Sequence, residues 1–524
     1  MSELGHWLAG AWPILGIAVE AVALLLIPVV LARRKEPPST VAWILALIFL
    51  PGVGATLFLL FGRDRVRIPA QWKREADRLL ADRKGAAGDR ARRAIAAREA
   101  TLARLASPLD RELFRVGVAL GGAEPTGGNA VEILVDGEAT YAAIGAAIDA
   151  AERTVHAEYY LIRSDDSAAD WLRDRLVAAA ARGARVKLLV DGYGSFWLRR
   201  RWLRSLRRAG VKVAFFLPAR LIFFQPMNLR NHRKIVVVDG AVGFTGGINI
   251  GDEYRGVPGP AGAEPRPGSE RPWRDTHLRL TGPSVARLER VFEQDWHFAT
   301  GEDLPHLTEP DATEPAELPP PIPVDAPAGG APSGDPPSPG AVVAIIRSGP
   351  DLAGADRETI HRIFFGAITL ARARVYITTP YFIPDRSILV ALQTAALRGV
   401  DVRLLFPSRS NHKVVWLAGR SFYEELLDAG VSIHEYGPGM IHAKTMAVDG
   451  TLALVGSANM DLRSFRLNFE VHAVVRDQLT ALRLERCFEE DLAVSRRIDP
   501  AEFRRRPAAL KVLEGAARLL SPLM

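Results

Sequence analysis

The chain has 524 residues, 48% of them hydrophobic and 24% charged, with a formal net charge of +7. That length holds several domains, and the basic balance suits anionic lipid headgroups and nucleic acid equally well, so composition excludes neither partner. The single cysteine, Cys487, excludes an intramolecular disulfide, fits a reducing compartment and reads as a packing residue within a helical stretch.

In chain order, the first element is apolar. From Trp12 to Leu31 only Glu20 is charged, and from Val41 to Phe61 nothing is, with Arg33-Arg34-Lys35-Glu36-Pro37-Pro38 between them. About 20 apolar residues cross a bilayer, so residues 1–62 predict a transmembrane hairpin with spans at about 12–31 and 41–61. Glu20 costs a few kcal/mol there unless it is neutral, snorkels or packs on the partner helix. A cleaved signal peptide fits less well, because Met1–Trp7 has no Lys or Arg and a second span follows at once. The basic flank Arg63, Arg65, Arg67, Lys73, Arg74 and Arg78 outweighs the turn, which places the remainder of the chain in the cytoplasm.

Residues 63–107, rich in Arg, Ala and Glu, predict a charged helical connector. A first α/β domain is expected over 108–305, a flexible Pro/Ala/Gly-rich linker over 306–341 and a second α/β domain over 342–524. Each domain, of about 190 residues, can build its own core. Within the first, "LRRRWLRSLRR" (Leu198–Arg208) places Leu198, Trp202 and Leu206 on one stripe and six arginines elsewhere, and "FFLPARLIFF" (Phe215–Phe224) follows. Two readings stay open: an interfacial helix and apolar loop docked on anionic lipid, or a solvated basic helix followed by a buried strand. The terminal stretch Ala508–Leu523 has a similar apolar face, for the membrane or for the body of the protein.

The decisive pattern is doubled. His232-x-Lys234 followed by Asp239 recurs as His442-x-Lys444 followed by Asp449, and each copy continues into a small pair, one variable residue and an Asn: Gly246-Gly247-Ile248-Asn249 and Gly456-Ser457-Ala458-Asn459. Surrounding segments repeat too. "ARGARVKLLVD" from Ala181 parallels "LRGVDVRLLFP" from Leu397, "LERVFEQDW" from Leu288 parallels "LERCFEEDL" from Leu484, and "DTHLRL" from Asp275 parallels "EVHAVV" from Glu470. Each half reads strand, helix, strand, helix, motif strand, hairpin strand, return strand, helix, an α/β sandwich made twice. The Pro/Gly-rich insertion Gly256–Pro272 sets the first copy apart as a loop.

Residues i and i+2 share a strand face, so each His stands beside its Lys. An imidazole, an ammonium and an amide suit a tetrahedral phosphodiester. Lys234, Asn249, Lys444 and Asn459 would hold its non-bridging oxygens, one His would attack phosphorus and the other would protonate the leaving oxygen. Such a site, shared by both halves, needs neither metal nor cofactor, because its cations are side chains. Asp275 and Glu470 open the return strands at matching places, where a carboxylate would orient an imidazole. Asp239 and Asp449 complete the motifs and are grouped with its catalytic residues. Each precedes a glycine, however, so each reads more as a hairpin residue than as a reacting group. His277 and His472, matched on the return strands, read as structural.

This motif pair resembles the phospholipase D superfamily and, within it, the bacterial cardiolipin synthases. The strings that carry the likeness are "NHRKIVVVDGAVGFTGGINIGDEY", "PWRDTHLRLTGP", "TTPYFIPD", "GSANMDLRSFRLNFE" and the terminal "LLSPLM". The resemblance implies a phosphohistidine on His232, with His442 as acid and then base, and an orienting role for Asp275 and Glu470. It also implies a multi-pass enzyme of the bacterial inner membrane that joins two phosphatidylglycerols into cardiolipin and releases glycerol. Its partners are then anionic lipids and the bilayer rather than nucleic acid. A membrane-tethered phospholipase with water as acceptor and a nuclease of the same superfamily would use the same residues.

Overall fold

A computed structural model of the chain describes residues 2–32, 37–61, 98–103, 105, 108–120, 123–217, 229–255, 272–304, 338–350 and 358–519. Most of the expected connector, the linker as far as residue 337, the loop 256–271, Pro218–Phe224 of the apolar loop and the terminal 520–524 lie outside them. The chain falls into two compact units. The smaller contains the N-terminal helices and the larger contains both motif-bearing halves.

In the smaller unit, α1 (Ser2–Ala32) covers the first apolar stretch, with side chains described from Gly16 onward. The second stretch is not one continuous helix. It divides into α2 (Pro37–Phe49) and α3 (Pro51–Phe61), with a bend at Leu50. Pro51 has no N–H to give to the preceding turn, and its ring disfavours helical backbone at Leu50. The bend is held by Leu50 N–H donating to Ala46 O at 3.0 Å and by Gly54 N–H donating to Leu50 O at 2.5 Å. Gly54 lies so close to Ala46 that a Cβ would overlap its carbonyl. Among the described residues no helix is long and apolar enough to cross a membrane. Ala23, Val30, Leu47, Ala55 and Phe58 form the inner core of these helices, and Trp43 meets Phe58 edge-on at 5.3 Å. Leu24, Leu25, Leu45, Ile48, Phe49 and Leu59 point outward.

The larger unit is one α/β body. Its first half contributes β1 (Thr126–Val135), β2 (Thr154–Tyr159), β3 (Arg185–Asp191), β4 (Lys212–Phe216), β5 (Ile235–Val238), β6 (Val242–Gly246) and β7 (Thr276–Thr281). Its second contributes β8 (Ser338–Ser348), β9 (Arg374–Thr378), β10 (Asp401–Pro407), β11 (Ser432–Tyr436), β12 (Thr445–Val448), β13 (Leu452–Gly456), β14 (Asn468–Arg476) and β15 (Ser495–Arg497). Among the described residues these join one continuous sheet, ordered β15-β11-β10-β9-β12-β13-β14-β8-β1-β7-β6-β5-β2-β3-β4. Apart from the edge strand β15, the order reads the same outward from the β8–β1 seam, with β1 matching β8, β7 matching β14 and β5 matching β12. Within each half, the strands before the motif run parallel with helical crossovers, while motif, hairpin and return strands are antiparallel. The expected repeat is thus present with two further strands in each half, β1 and β4 in the first and β8 and β11 in the second.

The sheet also doubles over, bringing β6 and β7 against β13 and β14. Between them lies a core shared by both halves, including Leu278, Phe292, Trp296, Ile345, Val455 and Val471. Helices α4 (Ser284–Thr300) and α5 (Gln478–Ala493), which carry the repeated "LERxFExD" segments, line this core through Leu288 and Leu484. In the basic helix Arg200–Arg208, Trp202 and Leu206 are buried in the first-half core together with Leu198. The apolar stripe therefore faces the protein, and the interfacial-helix reading is corrected. Near the C-terminus, the helix Ala508–Leu519 packs on the body through Glu514 and Ala517, with Glu514 between Arg420 and Arg506.

Candidate active site

The motif strands β5 and β12 deliver both histidines to the crease where the sheet doubles over, and the backbone arranges them crosswise. Arg230–Asn231 pairs in parallel with Asn468–Phe469 of the second half, and His232 N–H donates to Phe469 O at 2.9 Å. Reciprocally, Ile441 bridges Arg274 of the first half, and His442 N–H donates to Arg274 O at 2.7 Å. Each histidine therefore faces the return-strand carboxylate of the other half. His232 Nδ1 lies 3.1 Å from both oxygens of Glu470, and His442 Nδ1 lies 2.8 Å from Asp275 Oδ2. Sequence matching singled out these two carboxylates but said nothing about the exchange of partners.

Lys234 and Lys444 are fully buried, each donating to the carbonyl of the histidine two residues earlier. Lys444 Nζ also reaches His442 Nδ1 at 2.8 Å. Burial lowers the ammonium of Lys234 to about 7 and that of Lys444 to about 8, with Glu470 and Asp275 acting in the opposite direction. Burial likewise lowers His232 to about 4 and His442 well below its ordinary value, so both imidazoles are neutral near pH 7.

The carboxylates differ. Burial raises both, but His232, Lys234 and a hydrogen bond from Ser457 Oγ bring Glu470 down to about 2. Asn468 Nδ2 donates to Glu470 Oε1 as well, at 3.0 Å. Asp275 stays raised, because burial outweighs the field of Lys444 and the N–H of Thr276. The small pairs that end β6 and β13 explain the room around each. A Cβ on Gly247 would overlap the Asp275 carboxylate, whereas Ser457 occupies the matching place and bonds Glu470. Gly246 and Gly456 are pressed against His277 and His472, two buried imidazoles beneath the site.

Asn249 and Asn459 are buried, and the carboxamide oxygen of each has no partner among the described residues. Asn249 Nδ2 donates to Tyr254 OH at 2.9 Å. Asp239 and Asp449 do not join the site. Both have positive φ, 55° and 52°, at the far ends of the motif strands, each followed by a glycine in the same region. The Asp239 carboxylate accepts the N–H groups of Glu152, Arg153 and Thr154, and Asp449 those of Arg372, Ala373 and Arg374. Four strand residues at about 3.3 Å each separate lysine from aspartate, so a catalytic role for Asp239 and Asp449 is corrected to a structural one: they pin the motif hairpin to the start of β2 and β9.

Several groups at the site went unnoticed in the sequence. Tyr160 stands edge-on to His232 at 5.0 Å, while Trp273, Tyr254 and Tyr381 surround His442 at 5.1, 5.7 and 6.4 Å. Tyr160 and Tyr381 follow matching strands, β2 and β9, a signal within the repeat that pointed to them. Beneath, Arg233 is fully buried. It pairs with Asp295 and donates to Glu470 O and Ser348 O, each at 3.2 Å. On the other side Arg274 pairs with Asp491 at 2.9 Å and donates to Asp275 O at 2.7 Å.

With Nδ1 of each imidazole committed to a carboxylate or ammonium, Nε2 is the nitrogen left to meet a phosphorus or an oxygen. Two such nitrogens, two buried ammonium groups and two amides, backed by the two carboxylates, are groups of the kind that phosphodiester chemistry requires.

Comparison with known proteins agrees with this chemistry. Residues 144–254 and 365–492 match the family described as cardiolipin synthase, PLD-like domain, and residues 21–63 match that described as phospholipase D-nuclease N-terminal. The chain is 38% identical to a cardiolipin synthase of Geobacillus kaustophilus over 99% of its own length and 96% of that protein's. It is 35% identical to the major cardiolipin synthase of Bacillus subtilis, over 96% of this chain and 97% of that one. The crystal structure of a phosphatidylserine synthase from Haemophilus influenzae has a similar fold, with a TM-score of 0.56 at 14% identity over 79% of this chain and 100% of that one. The chain belongs to the cardiolipin synthase family, phosphatidyltransferases of the phospholipase D superfamily.

Proposed function

We propose that the protein makes cardiolipin from two molecules of phosphatidylglycerol and releases glycerol, through a phosphatidyl-histidine on His232. The observation that carries this reading is the unequal wiring of the two imidazoles. His232 Nδ1 meets only the ionised Glu470, so it bears the proton, and Nε2 keeps its lone pair for attack. His442 Nδ1 is shared between Asp275 Oδ2 and the Lys444 ammonium, and the ammonium, which can only donate, favours the tautomer with the proton on Nε2. In the first step His232 Nε2 bonds to phosphorus as the phosphorus–glycerol oxygen bond breaks, and His442 Nε2 gives its proton to the departing glycerol while Nδ1 takes one from the Lys444 ammonium, so the ring stays neutral. In the second, the terminal hydroxyl of another phosphatidylglycerol gives its proton to His442 Nε2 and attacks phosphorus, Nδ1 returns its proton to Lys444, and the phosphorus–nitrogen bond breaks. Lys234, Lys444, Asn249 and Asn459 hold the non-bridging oxygens throughout.

The N-terminal helices are read as the membrane anchor. Support comes from the apolar stretches 12–31 and 41–61 and from the outward-facing Leu24, Leu25, Leu45, Ile48 and Phe49. The basic flank that follows orients the catalytic body to the cytoplasm.

The test is purified protein in detergent micelles with phosphatidylglycerol alone, products separated by mass. Cardiolipin and free glycerol in equal amounts are expected. Phosphatidic acid as the main product would move the reading to a phospholipase with water as acceptor.

A further inference from the structure

We propose that the loop Gly192–Arg199 is a membrane-docking element that seats the mouth of the site on an anionic bilayer surface, an inference that rests on the lipid reading above. The loop follows β3 and ends in the basic helix whose apolar stripe is buried, so its own aromatic residues have no core to enter. Trp197 is 85% exposed, Phe196 56% and Tyr193 50%, and Phe196 and Trp197 stack edge-on at 5.2 Å. Exposed arginines flank them at once: Arg199, Arg200 and Arg201. Large aromatic bodies beside guanidinium groups match the boundary between acyl chains and anionic headgroups.

The loop is held rigidly and tied to the catalytic histidine. Asp191 Oδ1 accepts the N–H groups of Tyr193 and Gly194 at 3.0 and 2.7 Å, and its other oxygen accepts the N–H of Asn231, next to His232. Ser195 Oγ donates to Tyr160 O at 3.0 Å, and Gly194 lies flat against the Tyr160 ring, where a Cβ would overlap it. That ring is the one standing edge-on to His232. Arg230, two residues before His232, places its guanidinium 3.8 Å from the Tyr193 ring. A bilayer that takes up Trp197 and Phe196 thus lies on the loop that is bonded to Tyr160 and, through Asp191, to Asn231, the two immediate neighbours of His232.

The experiment uses the full chain with Cys487→Ala and Trp197→Cys, an environment-sensitive fluorophore on the new thiol, and reconstitution into vesicles of phosphatidylcholine with or without phosphatidylglycerol. With phosphatidylglycerol present, the label should shift to the blue and be quenched by lipids carrying a shallow spin label. Arg199, Arg200 and Arg201 changed together to Glu should abolish both responses. In mixed micelles, Phe196→Ser with Trp197→Ser should raise the KM for phosphatidylglycerol mole fraction about tenfold or more, with kcat at saturating lipid within about twofold. A label that stays water-exposed in every vesicle, or a double variant that loses kcat at unchanged KM, overturns the docking proposal. Product analysis on the same vesicles separates the two readings. Cardiolipin formed beside a water-exposed label removes the docking alone, whereas absence of cardiolipin removes the lipid-synthetic reading itself.

Discussion

Around His232, Glu470 is ionised and engaged on every side, with Ser457 and Asn468 donating to it and only the imidazole Nδ1 left to face. Around His442, Asp275 lacks a serine, because Gly247 stands where Ser457 does, and Nδ1 is shared with the Lys444 ammonium. Two copies of one motif thus carry the same residues beside carboxylates shifted in opposite directions, set by neighbours outside the motif. The deeper layer differs in the same way. The matched acids Asp295 and Asp491 are both answered by arginines of the first half, Arg233 from the motif and Arg274 from the start of the return strand. A repeat can keep its reacting atoms symmetric while dividing the labour through their supports.

The largest test of that division is loss of the histidines. His232→Ala and His442→Ala should each lower transfer on the order of 10⁵–10⁶-fold, and the double variant should be hardly worse, because nucleophile and proton donor act as a unit. Trapping with labelled phosphatidylglycerol separates them: acid-labile phosphoprotein should be absent in His232→Ala and faintly present in His442→Ala. Label on His442 in the His232→Ala protein would reverse the two roles.

Next come the carboxylates. Glu470→Gln should cost on the order of 10³–10⁴-fold in kcat, as when an orienting carboxylate is lost from a nucleophile's partner. Asp275→Asn, at a site where Lys444 also fixes Nδ1, should cost about 10²-fold or less. Equal losses would erase the distinction between the half-sites.

The lysines give a pH signature. Near neutral pH, Lys234 titrates at about 7 and Lys444 at about 8, so kcat/KM should fall as pH rises from 7 to 9, by about tenfold per unit between the two values and more steeply above 8, where both ammonium groups are lost. Stability should move oppositely. In the unfolded chain a lysine keeps its proton up to its ordinary value of 10.5, while the folded one has released it, so the unfolded state binds more protons and stability rises with pH across that window. Parallel pH–rate and melting measurements decide; a melting temperature that falls together with the rate would attribute the decline to unfolding.

The smallest effect is expected at Ser457. Ser457→Gly, which copies the first half, should cost about tenfold through loss of one charge-assisted hydrogen bond. It should raise the pH at which the acidic limb of kcat/KM begins, since Glu470 would hold its proton more readily. An unchanged acidic limb would show that Ser457 does not tune Glu470.

Much of the site was legible because its residues repeat at fixed spacing. His232, Lys234, Asn249, Glu470 and their counterparts all reach one crease, and strand alternation accounts for the histidine–lysine pairing. What spacing could not convey is which half each carboxylate serves, since exchange of partners is decided by the backbone pairing of Asn231 with Phe469 and Ile441 with Arg274. The histidine-to-aspartate interval looks like one functional string, yet a strand carries its two ends well apart. The stripe of Leu198, Trp202 and Leu206 has the same period whether it faces a core or a bilayer, so only packing could separate the readings. Hydropathy likewise reads the second apolar stretch as one run and is blind to the bend that Pro51 and Gly54 impose. β1 escaped because it opens with Thr126-Gly127-Gly128-Asn129 and alternates weakly.

The seam between β1 and β8 has a consequence for the covalent chain. Ala130 pairs with Pro339 across it, and Val131, Ala341 and Val343 are buried there, so backbone pairing and apolar contact hold the halves in register independently of the residues joining them. The connecting segment sets only how often the halves meet, a cost that grows slowly with its length. A polypeptide nicked there would yield two fragments, neither containing a histidine with its own carboxylate. Each alone would be inert, and mixing them would restore turnover: a split enzyme whose reassembly can be read directly from its product.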